Sequence, residues 1–90
     1  MSTFIVERHM PGAADLTPEQ AQAFTRRSLC VIEQMPGVRW DRSYVTQDAV
    51  FCIYEAPDAR TVAEHARRTE IPADVVTEVR AVVDPAQASG

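Results

Sequence analysis

Lysine is missing altogether: the nine basic residues are all arginine, and thirteen acidic residues outnumber them for a formal net charge of -4. An acidic chain with scattered arginines presents no basic stripe along which nucleic acid would lie. The densest basic spot, Arg67 and Arg68 with Arg60 a turn or two earlier, reads as a solvated helix face. Long apolar runs are missing too. The longest, residues 49–54, has six residues, too few to span a membrane. Residues 1–10, MSTFIVERHM, carry Glu7 and Arg8 where a secretion signal would stay apolar, and no small-residue cleavage site follows. The two cysteines, Cys30 and Cys52, stand 22 positions apart, which fits neither zinc-ligand nor CxxC spacing. They are too few for a four-cysteine iron–sulfur cluster. No glycine-rich phosphate loop, HExxH or GxSxG occurs, which argues against nucleotide hydrolysis, zinc proteolysis and serine hydrolysis. The expectation is a cytoplasmic protein with free thiols that meets neither nucleic acid nor membrane.

Leucine is scarce as well, with two, against 13 alanines and 11 valines in a chain that is 46% hydrophobic. Such a bias favours sheet over a helical bundle. Ninety residues make one domain spanning 1–90, with a core over about 3–85 and a flexible tail over 86–90. Residues 3–9 read as a strand, which Pro11 and Gly12 end. Thr17, Pro18 and Gln20 combine an N-cap, a first-turn proline and a capping box. Apolar positions at Ala21, Phe24, Val31, Ile32 and Met35 then follow helical spacing until Pro36 and Gly37. Residues 38–46 and 49–56 read as two strands joined at Gln47 and Asp48. Asp58 caps a second helix with a stripe at Ala59, Val62 and Ala66, and residues 75–84 read as a last strand. The order βαββαβ predicts a ferredoxin-like α+β fold, with two helices on one face of a four-stranded antiparallel sheet.

Two helices cover one sheet face, so the other needs a role. Strand alternation assigns Phe4, Val6, Phe51, Ile53, Val79, Ala81 and Val83 to the helix side. It assigns Glu7, His9, Trp40, Arg42, Tyr44, Cys52, Tyr54, Glu78 and Arg80 to the bare side. Rings, a thiol, acids and arginines on one exposed face would form an interaction patch, and an identical copy would cover it. The expectation is a homodimer, a dimeric α+β barrel with a polar cavity between the two sheets.

The stretches FIVERHMPG (4–12), VRWDRSYVT (38–46), FCIYEAPD (51–58), EHARR (64–68) and IPADVVTEVRAVVDP (71–85) resemble a family of small bacterial proteins. That family is known as a domain of unknown function or as nickel-binding, with a ferredoxin-like dimeric fold. The resemblance covers nearly the whole chain and implies nickel as the cofactor.

Ni(II) accepts imidazole, thiolate and carboxylate donors. His9 is either a ligand at the cavity rim or an exposed strand-end histidine. His65 falls on the flank of the second helix, as a surface or capping residue or as a ligand at the monomer edge. Cys52 is a thiolate ligand or a small core residue. Glu7 and Glu78, on neighbouring strands, either ligate metal or pair with Arg42 or Arg80. Arg42, Arg80, Tyr44 and Tyr54 could instead hold a small acidic or aromatic molecule. Three functions follow: a metal-binding dimer, a cofactor-independent enzyme, or a structural dimer without ligand.

Overall fold

The computed structural model describes residues 1–71 and 73–86. β1 (Ser2–His9) leads through a 3-10 turn (Ala13–Asp15) into α1 (Pro18–Glu33). β2 (Arg39–Val45), β3 (Ala49–Ala56), α2 (Ala59–Thr69) and β4 (Val75–Glu78) follow. The sheet order β2-β3-β1-β4, with every neighbouring pair antiparallel, makes the fold ferredoxin-like α+β.

The expected caps hold the helices. Gln20 N–H donates to Thr17 Oγ1 at 3.2 Å, and Thr17 N–H donates to Gln20 Oε1 at 2.9 Å. These bonds satisfy amides that an α-helix leaves open at its start. Asp58 does the same for α2 by accepting from Thr61 N–H at 2.7 Å. α2 ends at Glu70, whose φ of 60° lies in the left-handed region that glycine adopts more easily.

The core lies between the helices and one sheet face, with Phe4, Val6, Cys52, Tyr54, Ala56 and Val62 at its centre. Phe4 faces Tyr54 and Val6 faces Cys52 across the β1–β3 pair, so these four share the helix side. Two expectations are corrected here. Phe51 and Ile53 belong to the opposite face, and β4 is four residues long, not ten. β3 is apolar on both sides, so alternation alone left its phase undetermined. β4 ends with Glu78 opposite Phe4, and one further bond follows, from Val79 N–H to Thr3 O. Val79 therefore closes the ladder, and Val82 and Val83 are exposed. Part of the expected tail, residues 87–90, lies outside the described residues.

Candidate functional site

The helix-free face carries Ile5, Glu7 and His9 from β1, Phe51, Ile53 and Glu55 from β3, and Arg39, Arg42 and Tyr44 from β2. Glu7 stands between Phe51 and Val75, its partners on the flanking strands. Ile5 lies between Ile53 and Thr77. Tyr44 lies opposite Phe51 and is 54% exposed, a large ring left to solvent. Arg39 Nη1 reaches Glu55 Oε2 at 3.3 Å, and Arg42 Nε reaches Asp41 Oδ2 at 3.6 Å. Hydrogen bonding to Tyr44, then the charge of Asp41, raises the Arg42 pKa. Arg39 and Arg42 thus answer Glu55 and Asp41, and among the described residues no ion pair engages Glu7.

His9 follows Glu7 by two residues on this face and is exposed, while its backbone N–H donates to Asp74 Oδ2. Glu7 and His9 are the candidate ligands that the structure brings together. The others it separates. Cys52 and Tyr54, expected on the bare face, are 5% and 1% exposed under the helices. Glu78 pairs with Phe4, which places it on the helix side, exposed at the end of β4 and across the sheet from Glu7. Arg80 is exposed beyond β4. Trp40 faces Tyr54 on the helix side, whereas Arg42 and Tyr44 face the other way. A bulge between Trp40 and Arg42 causes this split, since an extra residue breaks period two.

His65 also departs from expectation. Val62, His65, Ala66 and Thr69 form the buried stripe of α2, while Ala59 and Ala63 are exposed. The His65 ring is fully buried and lies 5.1 Å from the Tyr54 ring. Its Nε2 lies 3.4 Å from Ser28 O; because a carbonyl can only accept, this nitrogen carries the proton. Nδ1 is buried without a hydrogen-bond partner. Burial lowers the His65 pKa, the Ser28 bond opposes that shift, and the nearby Arg8 charge adds to it.

Sequence reasoning missed Arg8. It is 4% exposed, and its Nη1 donates to Ile71 O at 2.6 Å. The signal was present, because period two from Phe4 and Val6 carries Arg8 to the same side. Beside it, burial pushes the Tyr54 hydroxyl up to about 12; Cys52 adds to the rise and Arg8 opposes it.

Among the described residues no three of His, Cys, Asp and Glu gather in a way that could hold a metal ion. No helix among them is long and apolar enough to cross a membrane. No curated protein matches the chain. The crystal structure of SCO4226 from Streptomyces coelicolor A3(2) superposes with a TM-score of 0.77 at 21% identity, over 91% of this chain and 100% of that one. At that identity the likeness speaks for the fold. The family model described as "Nickel responsive protein SCO4226-like" matches residues 4–79. With most of its length so matched, the chain belongs to the SCO4226-like family of nickel responsive proteins.

Proposed function

We propose that this protein is a homodimer that joins through its helix-free sheet faces and binds Ni(II) with Glu7 and His9 of both copies. The carrying observation is the setting of Glu7, half-buried between Phe51 and Val75 with His9 on the same side. Covering this face would strip water from the Glu7 carboxylate. A buried carboxylate without a counter-charge is unfavourable, so the covered face calls for a cation. One chain supplies two donors, and a two-fold axis doubles them to a number suited to square-planar or, with water, octahedral Ni(II). The family's nickel responsiveness points the same way.

An arginine of the second copy could meet the need for positive charge instead, and metal titration separates the two. Tag-free protein is titrated with Ni(II) by calorimetry in a non-chelating buffer while light scattering follows its mass. Saturable binding by a dimer is expected, with loss of binding in a Glu7→Ala/His9→Ala variant. Ile53→Arg, which places a charge in the middle of the face, is expected to give a folded monomer. A monomeric wild type, or nickel binding undiminished in the double variant, refutes the proposal.

A further inference from the structure

Among the described residues seven large apolar side chains are exposed, and four of them lie in two short runs. Tyr44 and Val45 close β2, at 54% and 55% exposure; Val82 and Val83 follow β4, at 71% and 91%. Both runs also have backbone to spare. β2 is an edge strand that pairs with β3 alone. Residues 80–83 lie beyond the last bond on their side, from Val79 N–H to Thr3 O, and join no ladder. Their pattern is nonetheless that of a strand. Val75 and Thr77 lie opposite Glu7 and Ile5 on the helix-free face, and period two carries Val79, Ala81 and Val83 to the same side. An open strand edge with apolar side chains is a template for a further strand.

One chain cannot join the two runs, because β2 and β4 stand at opposite edges of its sheet. Two chains can. Every neighbouring pair in the order β2-β3-β1-β4 is antiparallel, so β2 and β4 run in opposite directions. With the helix-free faces together, a two-fold axis along the strands lays β4 of one copy over β2 of the other and preserves each strand's direction. The chain leaving β4 then meets the second copy's β2 edge antiparallel, as a regular ladder requires. The bulge between Trp40 and Arg42 limits the regular part of β2 to residues 42–45, a run as long as residues 80–83. Facing agrees as well. Setting Val83 opposite Arg42 and Ala81 opposite Tyr44 keeps all four on the helix-free side, and places the Tyr44 ring over a small residue and beside Val83. On the other side Val82 comes opposite Ser43 and diagonal to Val45. We propose that residues 80–83 cross to the second copy and extend its sheet as a fifth strand on the β2 edge, so that each subunit clasps the other. This rests on the face-to-face pairing proposed above and not on nickel.

Amide hydrogen exchange resolved by residue tests it, with light scattering giving the mass of the same tag-free protein. Residues 80–83 are expected to exchange roughly 100-fold more slowly than an open chain, together with the amides of residues 42–45 that point away from β3. The variant Ala81→Pro/Val82→Pro removes two N–H groups that lie outside every ladder of their own chain, so the subunit keeps its fold. It is expected to free those β2 amides, to leave β1 exchange unchanged, and to weaken the dimer roughly 10–100-fold, as loss of several backbone bonds implies. With the two runs on opposite edges, an effect of this variant on residues 42–45 at unchanged β1 exchange reports contact between copies. A dimer whose residues 80–83 exchange as an open chain, or a variant whose residues 42–45 stay protected, overturns the proposal while the face-to-face pairing stands. A monomeric wild type overturns both. No metal enters either measurement, so nickel binding is judged separately.

Discussion

Replacing His65 by leucine should raise stability at neutral pH and flatten its decline in mild acid. His65 is fully buried, its Nδ1 has no hydrogen-bond partner, and its one bond, to Ser28 O, is long at 3.4 Å. A buried polar atom left unsatisfied costs about 1–3 kcal/mol, whereas a stretched neutral bond returns about 0.5 kcal/mol. Leucine has a similar volume and no polar atoms, so a net gain of about 1 kcal/mol at pH 7.5 is expected. The pH effect follows from the lowered His65 pKa, caused chiefly by burial. Below about pH 6.5 the unfolded chain takes up a proton that the folded one refuses, so stability falls as pH falls. The slope approaches about 1.4 kcal/mol per pH unit between the unfolded value and the lowered native one. Glu64, held down to about 2 by Arg67 and Arg68, loses its contribution only as pH drops below 4.5, outside this window. Denaturant unfolding of both proteins at pH 7.5, 6.5 and 5.5 measures the difference. Equal slopes in wild type and His65→Leu would refute the reasoning.

Alkali should destabilise the fold through the same cause, burial of an ionisable group. The Tyr54 value is raised to about 12 by burial, so its contribution is complete below pH 10 and is lost as pH rises through 12. The loss amounts to about 3 kcal/mol, and phenolate absorbance should show Tyr54 ionising only as the protein unfolds; Tyr54→Phe removes the effect. Thr17→Ala deletes half of the α1 capping box and should cost about 1 kcal/mol by chemical denaturation. Glu70→Gly should stabilise by about 0.5–1 kcal/mol, because relief of the left-handed strain exceeds the extra freedom glycine brings to the unfolded chain.

Local chemistry was easy to read. The Thr17 box, the Asp58 cap and the 49–56 strand stand where sequence put them, because each rests on neighbours in the chain. Element order then followed, and the topology with it. Facing was harder. β1 announces its phase with Phe4 and Val6 against Thr3 and Glu7, but β3 reads Val, Phe, Cys, Ile, Tyr without a polar beat until Glu55. Its orientation is set by pairing with β1, a non-local fact. Cys52 and Tyr54 therefore moved from the supposed ligand face into the core, while Glu7, His9, Arg42 and Tyr44 stayed on the face expected of them. His65 was misplaced for a related reason. Alanines at 59, 63 and 66 fit either side of α2, so only packing against Tyr54 shows which side is inward.

The irregularity at Asp41 gives β2 a double allegiance. Upstream of it the ribbon lays an indole beside the Tyr54 ring under the helices; downstream it presents a guanidinium and a phenol to the reverse side. Were the bulge ironed out with Asp41 taking a partner of its own, the register would slip by one, sending Arg42 and Tyr44 inward or driving Trp40 into water. Neither surface can be re-engineered through this strand without disturbing the other, so a single backbone irregularity ties together two regions that share no side chain.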